Sequence, residues 1–300
     1  IYVCLTTNSL PIILIVVVAR LGELVFRLAA FVFDSIPEFL RGLIADLSAT
    51  VYFMISPAKR KNVLCNLSGI GVEATSGSVL KIFRNHTRNI IEMFASSRWK
   101  PLDIQKRIDL EGREVLDHAL KKGRGVILVT VHVGNWELAA LFLSSCGYDL
   151  HVVTGVQMNR FLADAVKKVK ETRGIRVIRP EHSYRRLFEA LRSNGIVALL
   201  IDGDIFMGGA EVSLFGKDTI MPKGAVRLSK KTGAPIIGVF CRRLETGNFL
   251  INIEHIQEGR ETASLPESES MKKLCGIMED FIRKNSDQWC IFRRFWEAVH

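Results

Sequence analysis

A histidine and a glutamate five residues apart, His132 and Glu137, stand where the apolar run Gly125 to Val131 opens onto a turn carrying Gly134 and Asn135. A carboxylate that accepts a hydrogen bond from one imidazole nitrogen fixes the tautomer and makes the other nitrogen a better base toward a hydroxyl. Five residues along one helix would set the two side chains on different faces, so a strand-to-helix turn has to bring them together. Gly134 permits close backbone approach there, and Asn135 suits the turn. Of the seven histidines, His132 is the one with an acidic residue at that distance. The competing reading is a satisfied structural histidine at a strand end.

Periodicity identifies the elements that would position such a pair. From Leu110 onward, short β-branched runs alternate with charged helical segments, the pattern of a mainly parallel sheet with crossover helices. Strands are expected at Gly125 to Val131, Leu150 to Thr154, Arg176 to Ile178, Ile196 to Ile201, Pro235 to Arg242 and Phe249 to Ile253. Helices are expected at Glu137 to Ser145, Arg160 to Arg173, Tyr184 to Asn194, Lys223 to Thr232 and Ser268 to Asn285. Gly147, Gly174, Gly195 and Gly233 each come just after a helical segment, as C-terminal caps do. Residues 1 to 100 read mostly as helix. The fold class is therefore α/β, a central, mainly parallel mixed sheet flanked by helices, with a helical N-terminal membrane-associated extension.

In that extension Ile12 to Ala19 is continuously apolar, but Arg20, Glu23 and Arg27 interrupt its continuation at helical spacing. The uncharged stretch falls short of a clean span, so an interfacial helix is favoured over a transmembrane one. The division expected is residues 1–45 as membrane-associated helices and 46–300 as the catalytic domain. Forty-one basic against 31 acidic side chains give a formal net charge of +10, which calls for an anionic partner. A mean hydropathy of +0.19 and the apolar amino terminus point to a lipid surface and away from nucleic acid. Six cysteines without a C-x-x-C pair signal neither a zinc site nor a disulfide framework. There is no G-x-S-x-G elbow for a serine hydrolase and no H-E-x-x-H for a zinc hydrolase.

The stretch HVGNWE resembles the H-x4-E box of the lauroyl and myristoyl acyltransferases of lipid A biosynthesis and of the related phosphatidylinositol mannoside acyltransferases. The likeness extends to LRSNGIVALLIDGD, ending in Asp202, and to EVSLFGKDTIMPKGAVRLSKKTGAPIIGVFCRR, with its F-G, P-x-G and T-G-A-P features. Arg173 and Gly174 fit an R-x-x-x-G region loosely, SDQW at 286–289 stands where P-E-Q-W is usual, and Arg60, Asn66 and Leu67 match an early segment. Asp202-Gly203-Asp204 is nearer the mannoside branch, and the absence of an F-P-E-G-T-R box argues against glycerol 3-phosphate as acceptor.

The resemblance implies transfer of a fatty acyl chain from acyl carrier protein or coenzyme A to a hydroxyl of a membrane glycolipid, such as a lipid A precursor or a phosphatidylinositol mannoside. The site would lie at the cytoplasmic face of the inner membrane. His132 would be the base and Glu137 its orienting carboxylate, with the thioester as co-substrate and no metal or other cofactor. Asn135, Arg173, Asp202, Lys223, Arg227 and Arg242 are the expected substrate-binding residues, the cations facing substrate phosphates. The alternative from another class is a non-catalytic lipid-binding protein on the same scaffold.

Overall fold

The computed structural model describes residues 24–153, 160–178, 183–203 and 209–296. The apolar segment Ile12 to Ala19 and Asp204 lie outside them. A helix over residues 24–35 (α1) is followed by Glu38–Ile55 (α2), Pro57–Gly69 (α3), Ser76–Ser96 (α4) and Pro101–Gln105 (α5). Pro37 at the N-cap of α2 and Pro57 at the first position of α3 punctuate this region, since proline starts helices well and cannot continue them. Thr75 and Ser78 form a reciprocal capping box that starts α4.

The remainder alternates: Ile108–Glu111 (β1), Arg113–Lys121 (α6), Val126–Thr130 (β2), Trp136–Ser145 (α7), Leu150–Val153 (β3), Arg160–Thr172 (α8), Arg176–Ile178 (β4), Ser183–Arg192 (α9) and Ile196–Leu200 (β5). A hairpin of Ala210–Leu214 (β6) and Lys217–Met221 (β7) precedes Gly224–Thr232 (α10), Ile236–Arg243 (β8), Phe249–Gln257 (β9), Gly259–Ser264 (α11) and Glu267–Lys284 (α12). The expected strands fall within a residue or two of β2, β3, β4, β5 and β8, and β9 runs four residues further than expected. Strand β1 and the β6–β7 hairpin are additions to the expected set, because IDLE and the charged AEVSL and KDTIM runs lack a sustained apolar face.

Seven strands form one sheet in the order β1-β9-β8-β2-β5-β3-β4. β9 is antiparallel to β8 and parallel to β1, so these two run against the other five, which makes the sheet mixed but mainly parallel. All of Val126 to Val129 is buried, as expected of a central strand covered on both faces. Alternate residues serve two cores: Ile127, Val129 and Val131 join one cluster with Phe83 and Met278, while Val126 and Leu128 join another with Leu138 and Phe142. Each such side chain contributes roughly 1.5–3 kcal/mol on burial.

The amino-terminal helices lie against α4, where Phe26 and Phe33 of α1 meet Phe94 at centroid distances of 4.8 and 6.0 Å. Their outer surface is apolar. Leu24, Leu28 and Phe31 of α1 and Phe39, Leu43, Leu47 and Met54 of α2 are all exposed, the latter set at steps of four and seven along one helix face. Among the described residues no single helix is long and apolar enough to cross a membrane.

After α12 the chain turns back across the sheet edge and is held by asparagines. Asn66 of α3, 2% exposed, donates to the carbonyls of Ile291 and Arg293 at 3.1 and 2.8 Å and accepts from the Phe295 amide at 2.9 Å. Asn62 and Asn85 add bonds to the Phe292 and Asp287 carbonyls. Asn66→Ala, which strands one buried amide and two carbonyls, is expected to cost about 3 kcal/mol; an unshifted urea midpoint would contradict this clamp.

Candidate active site

Parallel strands carry residues past their ends in step. β2 and β5 are neighbours with Thr130 opposite Leu200, and the Ile201 amide donates to the Thr130 carbonyl at 2.9 Å. Two residues beyond that level on each strand lie His132 and Asp202, so the register alone sets them side by side. The crevice beyond the carboxyl ends of parallel strands is where open α/β sheets bind ligands.

Asp202 has no exposed surface and is the acceptor for three donors. The His132 amide reaches its Oδ2 at 2.7 Å, the Trp289 indole Nε1 reaches the same oxygen at 3.1 Å, and His132 Nδ1 lies 2.7 Å from Oδ1. Burial by itself pushes the Asp202 carboxyl up, but the charge of His132 and these hydrogen bonds outweigh it, so the group is held below the ordinary carboxylate range. With Asp202 ionised, Nδ1 carries the proton and donates. Burial pulls the imidazole down, and the charge and hydrogen bond of Asp202, helped by Glu137 and opposed by Arg293, leave it above the ordinary 6.5. The side chain is 23% exposed with Nδ1 engaged, so Nε2 is the nitrogen left for a substrate. Trp136 fixes the ring tilt by an edge-on contact at 4.7 Å.

Glu137 is not the carboxylate bonded to His132, contrary to what the spacing suggests. It sits in the first turn of α7, and its oxygens take Lys170 Nζ of α8 at 2.7 and 3.0 Å. Lys170 is 8% exposed. The turn does bring Glu137 near enough for its charge to act on the imidazole. Its hydrogen bonds nevertheless belong to the pair that ties α8 to α7.

A second buried network seats the loop between β2 and α7. Gly134 has φ +62°, and a Cβ there would stand 2.3 Å from the Cys241 carbonyl oxygen of β8, so both the conformation and the close approach require glycine. Asn89 of α4 donates to the Gly134 carbonyl. Asn135 caps α7 by accepting from the Leu138 amide at 3.0 Å and donates to Glu92 of α4 at 2.8 Å. Arg243 closes the circle: its guanidinium forks onto Glu92, its Nη2 reaches Asn89 Oδ1 at 2.9 Å, and Gln288 pairs with its backbone in both directions. The Cys290 amide then donates to the His132 carbonyl at 2.8 Å. The segment after α12 thus holds both partners of the His132–Asp202 pair.

The other expected binding residues divide accordingly. Asn135 positions the loop, and Asp202 is enclosed and orients the imidazole. Arg173 pins the end of α8 to the Ser96 and Ser97 carbonyls of α4. Arg227 pairs across the surface with Glu267 at 3.3 Å. Lys223 is the N-cap residue of α10, half-buried, and Arg242 is half-buried on β8 with its Cα against Gly134. Arg243, expected with Arg242 to face substrate phosphates, is instead closed onto Glu92, while Trp289, Lys170, Glu92 and Asn89 are not among the residues expected at the site. Asn89 and Glu92, three apart on the inner face of the amphipathic α4, carried the legible signal: polar residues where apolar ones belong.

Glu137→Gln leaves the Lys170 ammonium buried without a counter-charge and is expected to destabilise the fold by about 3 kcal/mol. Adding Lys170→Met should restore most of that loss in urea unfolding. Equal stability of the single variant and wild type would show that the pair carries no such burden.

Residues 21–298 match the family described as Bacterial lipid A biosynthesis acyltransferase. A phosphatidylinositol mannoside acyltransferase of Mycobacterium tuberculosis is 31% identical over 134 residues, 43% of this chain and 42% of that protein. The match therefore spans about two fifths of that relative's length. A palmitoleoyltransferase of lipid A biosynthesis from Escherichia coli K12 is 23% identical over 79% of this chain and 77% of its own. Among solved structures, a 1-acyl-sn-glycerophosphate acyltransferase from Thermotoga maritima aligns with a TM-score of 0.39 and 13% identity over 83% of this chain and 99% of that one. With nearly its whole length matched by the family, the chain belongs to the bacterial lipid A biosynthesis acyltransferases.

Proposed function

We propose that this protein transfers a fatty acyl group from a thioester, on acyl carrier protein or coenzyme A, to a hydroxyl of a membrane glycolipid. The acceptor is of the lipid A precursor or phosphatidylinositol mannoside type. The observation that carries the reading is the His132–Asp202 pair, an imidazole whose Nδ1 lies 2.7 Å from a fully buried carboxylate while the side chain keeps 23% of its surface exposed. Nε2 accepts the proton of the acceptor hydroxyl as its oxygen attacks the thioester carbonyl. The tetrahedral oxyanion then collapses, the carbon–sulfur bond breaks, and the thiolate leaves with the proton from Nε2. Arg293, whose side chain packs against Gly203 and whose charge acts on His132, is the cation we assign to that developing oxyanion.

No acyl-enzyme is required. Cys241 and Cys290 are near the site, but burial pushes both thiols up to about 12, which leaves no thiolate to attack a thioester. The exposed apolar face of α1 and α2 supports a second part of the proposal, docking at the cytoplasmic surface of the inner membrane. There an interfacial helix pair buries its leucines and phenylalanines among acyl chains.

The direct test mixes the purified protein with labelled acyl carrier protein or acyl coenzyme A and a lipid extract from its own source. Wild type should form a labelled lipid, and His132→Ala should slow this by a factor of about 10²–10⁴. Undiminished transfer by that variant would remove His132 from the chemistry.

Asp202→Asn probes the tautomer. Two N–H donors, the His132 backbone amide and the Trp289 indole, keep the carbonyl oxygen of the new side chain at the Oδ2 position. Its NH2 then faces Nδ1, which drives the ring proton to Nε2 and blocks the base, for an expected loss of about 10⁴ in kcat. In wild type the rising limb of kcat/KM against pH should have its midpoint above 6.5, because the neutral ring is the active form and its pKa is raised. The residual activity of Asp202→Asn should titrate at lower pH, where burial is no longer opposed by the carboxylate. A limb that stays in place would show that another group controls it.

A further inference from the structure

A cavity of about 300 Å³ opens beside the loop network, on the same rim of the sheet as His132. β8 delivers Arg243 to this rim. Because β9 and β1 run in the opposite sense, their starting ends, Phe249 and Arg107, lie there as well, joined by a 2.9 Å bond from the Phe249 amide to the Arg107 carbonyl. The Glu92–Arg243 pair forms part of the cavity lining while Glu92 also holds Asn135 of the catalytic loop.

The wall opposite carries an unusual concentration of positive charge. Arg41 of α2 and Arg107 both lie on the Trp99 ring, at 5.7 and 4.4 Å from its centroid. Two guanidiniums sharing one indole repel each other. Arg41 is depressed from its ordinary range by burial and then by Arg107. The carboxylate nearest both is Glu38, 2.8 Å from Arg107 but 3.9 Å from Arg41 and 61% exposed; Asp34 and Glu92 act on Arg41 more weakly, and its Nη1 donates to the Phe33 carbonyl at 3.0 Å. Glu245, also at the rim, is exposed to solvent. By contrast, the other arginines of the cavity lining are closely paired: Arg243 with Glu92, and Arg88 with Asp46 through two bonds of 2.8 and 3.0 Å.

We propose that this cavity binds the phosphate group of a substrate, held by Arg41 and Arg107 against the Trp99 wall, with Glu38 as the carboxylate that the phosphate displaces. Two guanidiniums can each fork onto phosphate oxygens, and a phosphate offers them more acceptors than the single carboxylate they now share. A phosphoglycolipid headgroup and the pantetheine arm of the thioester carrier both bring such a group. Which of them does so rests on the acyl-transfer reading; the phosphate site itself does not.

The test is calorimetric titration of the full-length protein with inorganic phosphate at low ionic strength, without turnover. Wild type should show saturable binding. Arg107→Gln should weaken it about tenfold, while Glu38→Gln, at an exposed position where misfolding is not a concern, should tighten it about threefold. Coenzyme A and a short-chain phosphatidylinositol are then tried as competitors. Displacement by coenzyme A assigns the phosphate to the donor, displacement by the lipid assigns it to the acceptor, and either supports the site. Absence of saturable phosphate binding, or binding indifferent to both substitutions, overturns it. Phosphate binding in a protein that transfers no acyl group would refute the enzymatic reading and leave this one standing.

Discussion

A carboxylate with no exposed surface must be supplied with donors, and the one at Asp202 governs how this molecule is assembled. Its three hydrogen bonds come from parts of the chain far apart: the end of β2 gives an amide and an imidazole, and the segment after α12 gives an indole. Leaving any of these unmade would strand a buried charge, which costs more than the bond itself contributes. The strand register, the returning carboxyl-terminal segment and the asparagines that clamp it can all be understood as meeting that demand. The tautomer of His132 follows from the same arrangement, because the carboxylate that needs the Nδ1 proton leaves the ring's lone pair on Nε2.

The loop carrying His132 is fixed from the other side by a second buried network. Asn89, Glu92, Asn135 and Arg243 leave few polar atoms unpaired, and Gly134 lets the backbone settle against β8. Among the described residues, Arg243 Nε is a buried atom without a partner there, so the network is nearly but not fully satisfied. With the positioning groups on α4 and β8, inside the core, the loop that carries the imidazole is held by rigid elements.

Much of the fold was legible because central parallel strands advertise themselves as short, wholly apolar runs, as VILVT and IVALL do. The site was legible only in part. His132 stood out at the end of such a run, and Asp202 at the end of another. Their pairing, however, depends on β2 and β5 being neighbours in register, which no local pattern encodes. Glu137 was the carboxylate closest in sequence and drew the assignment, although its hydrogen bonds go to Lys170. That lysine is hidden in KKVKET, where a buried ammonium reads like any solvated one. Trp289 lies in a tail whose role emerges only when it is seen crossing back to the sheet.

That crossing has a consequence for biosynthesis. The sheet strands β2 and β5 can pair as soon as residues 126–200 have emerged, but Asp202 lacks its indole donor and His132 its backbone support until residues 289 and 290 have been added. A chain extended only to residue 203 therefore lacks one of the three donors to Asp202 and the amide that supports the His132 carbonyl. The pair is thus complete only once residues 289 and 290 have joined the ends of β2 and β5.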